Sequence, residues 1–66
     1  MVVLNREDMS REIRSLRYRA DEVRTAAEDM RDPNSRRSLL LIAASYETMA
    51  HRLEATAGHL SLARTG

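Results

Sequence analysis

From Met9 onward the apolar residues of the first half of the chain fall at Met9, Ile13, Leu16, Ala20, Val23, Ala27 and Met30. The steps alternate between four and three residues, which is a heptad seam held for three repeats. Apart from Tyr18, the positions between are charged or small. This pattern predicts one long helix over about residues 6–31, with a narrow apolar stripe. Its start is marked by Asn5 as a cap, Asp8 at the reciprocal capping-box position, and Leu4 and Met9 spaced as a hydrophobic staple. Glu7 and Asp8 suit the positive end of the helix dipole. Glu7–Arg11 and Arg24–Glu28 are spaced to pair along the surface.

Asp32-Pro33 interrupts the pattern. Proline disfavours helical backbone at the residue before it and is well placed as the first residue of a new helix. Asp32 therefore reads as the corner and as the N-cap of a second helix over about 33–60. That helix carries a seam at Leu39, Ala43, Tyr46, Ala50, Leu53, Ala57 and Leu60. Gly58 suits a C-terminal cap, although the pattern tolerates continuation to about Ala63.

A tight corner makes the two helices antiparallel neighbours. Folding the chain there sets Met9 against Ala57, Ile13 against Leu53 and Leu16 against Ala50. It also sets Ala20 against Tyr46, Val23 against Ala43 and Ala27 against Leu39. In five of these six pairs an alanine faces a larger residue, so the seam interdigitates. The expected fold is all-α: an antiparallel two-helix hairpin formed as one domain over 1–66.

Helix two has apolar residues beyond its seam: Leu40, Leu41, Ile42 and Met49. A chain of 66 residues buries little surface and is marginal alone. The expectation is therefore a homo-oligomer, a dimer first, in which two hairpins make a four-helix bundle. The alternative occupant of this surface is an amphipathic helix of a larger partner.

Composition narrows the chemistry. There is no cysteine, so disulfides and thiolate metal sites are excluded. No run approaches the roughly 20 apolar residues of a membrane span. The opening "MVVLNREDMS" lacks the apolar core of a signal peptide, and a cytoplasmic chain is expected. The 11 basic residues, all arginine, nearly balance the 10 acidic ones. Arg6, Arg11, Arg14, Arg17, Arg19 and Arg24 could offer a basic face to nucleic acid, but Glu7, Asp8, Glu12, Asp21 and Glu22 are interleaved with them. The net field is weak, and no aromatic platform accompanies it. A small nucleic-acid-binding regulator is the alternative function.

Three sharper readings concern helix two. His51-Arg52-Leu53 resembles the start of the phosphoacceptor motif of dimeric histidine kinases, but Glu54 and Ala55 depart from it. Phosphotransfer through His51 is a remote alternative. Glu47, His51 and Glu54 share a face that could hold a metal, yet their spacing differs from the Glu-x-x-His arrangement of carboxylate-bridged bundles. Ser45, Glu47 and His51 are close along one helix, with nothing to bury or orient them as a catalytic set. No cofactor, metal or enzymatic activity is expected.

The stretch "YRADEVRTAAEDMRDPNSRRSLLLIAASYETMAHRLE", Tyr18 to Glu54, resembles small uncharacterised helical proteins of alphaproteobacteria. Its most specific part is Glu28 to Pro33 followed by Arg36-Arg37. The chain departs from that pattern with Leu41 where arginine is common and Ala44-Ser45 where acids are common. The resemblance implies a short helical unit with a less charged second helix, and it transfers no activity. The function expected is a non-enzymatic protein–protein interaction or self-association module.

Overall fold

A computed structural model describes the backbone of residues 6–65 and the side chains of residues 6–58. It is an all-α hairpin. Helix α1 spans Arg6–Glu28 and helix α2 spans Pro33–Thr65. The expected cap at Asn5, the staple through Leu4 and the side chain of Leu60 lie outside the described residues.

The corner is longer than the sequence suggests. Helix α1 ends at Glu28, three residues before the expected Arg31, and Asp29–Asp32 make the turn. The last turn tightens through bonds from Asp29 N to Ala26 O (3.2 Å) and Met30 N to Ala27 O (3.1 Å). Such bonds satisfy carbonyls that a helix end leaves unpaired. The Arg36 guanidinium donates to the Met30 carbonyl at 2.6 Å, tying the turn to the next helix. Asp32 cannot serve alone as the corner, because Pro33 holds it extended and the chain must already have left α1. Met30, expected in the seam, is consequently outside the helix and exposed.

The start of α2 is as expected. Asp32 caps it: its carboxylate accepts from the Ser35 amide at 3.0 Å and the Ser35 hydroxyl at 2.9 Å, and its carbonyl accepts from the Arg36 amide at 3.0 Å. Hydrogen bonds from the Ser35 hydroxyl, then from the Ser35 amide, hold the Asp32 carboxyl below its ordinary pKa. A depressed carboxyl stabilises the fold fully above its unfolded pKa of about 3.9, and that contribution disappears as pH falls through the lower folded value. Helicity followed by circular dichroism should stay level from neutral pH to about 4 and decline below it. Asp32→Asn, which caps without titrating, should remove part of that decline. An unchanged acid profile in this variant would show that the cap does not contribute.

Helix α2 runs through Gly58, five residues past the expected end at 60. No glycine has a positive φ among the described residues, so Gly58 is not a left-handed cap. A Cβ there would meet nothing within 4 Å. This glycine therefore costs about 0.5–1 kcal/mol relative to alanine and still leaves the helix intact.

The two helices pack along the expected seam. Met9, Ile13, Leu16, Ala20, Ala27, Ala43 and Ala50 are buried. Val23, Leu39, Tyr46, Leu53 and Ala57 are half-buried. Ile13, Leu16 and Ala50 form the central cluster, with Tyr46 and Leu53 against it, in agreement with the expected register. Alanines at 1% exposure allow the helices close approach, and the larger residues fill the space beside them.

Candidate functional site

The burial pattern has a direction. If Met9 is assigned to heptad position d, then Ile13, Ala20, Ala27, Ala43 and Ala50 are at a and buried, and Ala57, also at a, is half-buried. Of the d residues, Met9 and Leu16 are buried, whereas Val23, Leu39, Tyr46 and Leu53 are half-buried. The d side is therefore the more open one along Val23, Leu39, Tyr46 and Leu53.

Ion pairs close the other side. The Arg17 guanidinium pairs with Glu54, and that of Arg24 pairs with Glu47. Moving seven residues forward in α1 moves seven residues back in α2, which is the mark of antiparallel e-to-e pairing. Arg24 also reaches Asp21 at 3.0 Å. Its hydrogen bond to Glu47, and that carboxylate's charge, raise the Arg24 pKa above its ordinary value. The expected Arg24–Glu28 pair does not form, because a cross-helix acid stands closer to hand; nor do Glu7 and Arg11 pair. These bridges are solvent-exposed, and such pairs set register more than they stabilise. Glu47 and Glu54 are the two acids of α2, so both are engaged with α1.

The open side is a shallow groove lined by Val23, Ala26, Leu39 and Tyr46, with Arg19 and Glu22 at its edge. Ile42 and Met49 stand beside it at position g, 46% and 42% exposed. The four residues expected to form the association surface are thus not one patch. Leu40 is two residues from Ile42, a rotation of about 200°, and it falls in line with Glu47 and Glu54 on the ion-paired side. Leu41 faces outward and shares a shallow hollow with Met49, Ala44, Ser45, Thr48 and Arg52.

That outward face of α2 is less polar than its composition suggests. The hydroxyls of Ser45, Thr48 and Thr56 donate to the carbonyls of Leu41, Ala44 and Arg52 at 3.0–3.1 Å. Hydroxyls satisfied within their own helix present their carbon atoms outward.

His51 is exposed, with Nδ1 3.6 Å from Glu54 Oε1, beyond hydrogen-bond distance. Arg17 and Arg24, two of the arginines that suggested a basic face, are bound to acids. Arg6, Arg11 and Arg14 gather with Glu7 and Ser10 around an open hollow near the start of α1. Among the described residues no group of three or more His, Asp or Glu could hold a metal ion, and no helix is long and apolar enough to cross a membrane.

The sequence reading missed the cross-helix ion pairs. Their signal was present: arginines seven apart at 17 and 24, and glutamates seven apart at 47 and 54, each one position beyond a d residue. Comparison with known protein families, characterised proteins and solved structures finds no match to this chain.

Proposed function

We propose that this chain is a non-enzymatic association module that works through the open flank of the hairpin, in a bacterial cytoplasm. The observation that carries this reading is the incomplete burial of the seam along that flank. The d residues Val23, Leu39, Tyr46 and Leu53 stay half-covered, while Ile42 and Met49 beside them are exposed.

Size supports the same reading. The Cα radius of gyration is 15.2 Å, against about 11 Å for a compact chain of this length. A rod of two helices buries each helix on one side only. No large side chain among the described residues is below 2% exposure, so the core is thin. Covering the open flank would complete the burial of four d residues at once, and apolar burial is the dominant favourable term in association.

The test is solution mass by light scattering behind size exclusion over a concentration series, with helicity measured in parallel. The expected result is a dimer at micromolar concentration. A helical, stably folded monomer throughout that range would overturn self-association. The alternative of a nucleic-acid regulator gains no support from the arrangement, since the arginines of α1 alternate with acids and two of them are paired across the hairpin.

A further inference from the structure

Two features of the open flank coincide in height. On α2 its exposed apolar residues are Ile42 and Met49, whose midpoint lies between residues 45 and 46. On α1 the charged residues at the groove are Arg19 and Glu22, whose midpoint lies between residues 20 and 21. Tyr46 packs against the Leu16 cluster on one side and lines the groove with Val23 on the other. It is therefore level with Ala20, and the two midpoints are at the same height along the rod. Neither Arg19 nor Glu22 has an ion-pair partner among the described residues.

We propose that the occupant of this flank is a second copy of the chain, related by a two-fold axis that crosses the rod at that height. The proposal rests on the association reading above and specifies its partner and geometry. The axis lays α2 antiparallel on α2 of the second copy and α1 antiparallel on its α1. Rotation exchanges the members of each pair. Ile42 of each copy then meets Met49 of the other, and Arg19 of each meets Glu22 of the other.

The charges on the flank are thus complementary to themselves, a property that isologous interfaces require. A two-fold axis along the rod would instead set α2 on α1 of the second copy. Met49 would then lie on the Arg19 and Ser15 region, and Arg19 would not meet Glu22, so apolar surface would cover polar. The flank is also large enough. The hairpin measures 51 × 19 Å across its broad faces, which leaves room for the ~800 Å² per partner typical of stable interfaces. The cost falls at the rim, where Glu12 comes level with the Asp29 turn of the second copy, and solvent screens that repulsion.

The chain has no cysteine, so single thiols report on geometry directly. Ser45 lies beside the proposed axis and is exposed. Ser45→Cys should give a covalent dimer in high yield with a short bis-maleimide. Thr25→Cys, on the outer face of α1, should give little. An oligomer that fails to cross-link at position 45, or that cross-links equally at both positions, overturns this arrangement and leaves the association reading standing. A monomer under all conditions overturns both. As a second measurement, Arg19→Glu should raise the dimer dissociation constant on the order of tenfold. Adding Glu22→Arg should return it toward the original value. No restoration in the double variant would also overturn the proposed pairing.

Discussion

Ile42→Asp should convert the proposed dimer to a monomer at micromolar concentration. Ile42 is 46% exposed in the single hairpin, so the substitution removes little from the seam. In a two-fold assembly it removes an apolar contact twice. Burying an isoleucine is worth about 1.5–3 kcal/mol, of which roughly half is still to be gained on association. Two such losses, with two carboxylates left against methionine, should raise the dissociation constant a hundredfold or more. Leu40→Asp is the matching control. Leu40 is similarly exposed at 44% but lies on the ion-paired side, so its replacement should leave the mass unchanged. If Leu40→Asp splits the assembly and Ile42→Asp does not, the interface is on the other flank. Sedimentation of both variants at several concentrations decides between the two.

The contrast between these leucine and isoleucine positions also shows how far the sequence could be read. The seam was legible residue by residue, because a strict four-three spacing admits one helical face and Asp32-Pro33 admits one place to turn. Leu16 opposite Ala50 follows from those two facts alone. The end of α1 was not legible. An apolar residue at position 30 continues the rhythm, whereas the chain needs Asp29–Asp32 to reverse direction, and a periodicity carries no information about the length of a turn. Gly58 misled in the opposite sense: a glycine permits a helix end without requiring one. The candidate surface was half legible. Counting exposed apolar residues identified Leu40, Leu41, Ile42 and Met49, but only the ion pairs of Arg17 with Glu54 and Arg24 with Glu47 reveal which flank is already closed.

The closed flank also bears on the charges that remain. Helix α2 uses both of its acids on α1, so Arg37 and Arg52 face solvent without an acidic partner on their own helix. Of the α1 acids without an ion pair, Glu12 and Glu22 lie toward the open side, and Glu7 and Glu28 lie toward the paired one. The proposed two-fold pairing draws on the open-side charges alone, Arg19 and Glu22.

Leu16→Ala should have the largest effect on stability of any single truncation in the seam. Leu16 is 7% exposed and sits with Ile13 and Ala50 at the centre of the packing. The other buried positions are Met9 and four alanines at 20, 27, 43 and 50, so only three large side chains are fully covered. Truncating a buried leucine costs about 2–5 kcal/mol, more where the surroundings cannot collapse. Here the facing residue is already an alanine, so the gap can be filled only by shifting Tyr46 or Leu53, which pack against the cluster. For a chain of this size that loss is comparable with the total stability of roughly 3–10 kcal/mol. Thermal melts by circular dichroism should show the midpoint lowered by about 10–20 °C or the cooperative transition lost. Because association adds to apparent stability by mass action, the deficit should be largest in dilute samples and should shrink as concentration rises. A deficit that is the same at every concentration would mean that the hairpin folds alone. A midpoint within a few degrees of the original would mean that Leu16 is not at the centre of the core.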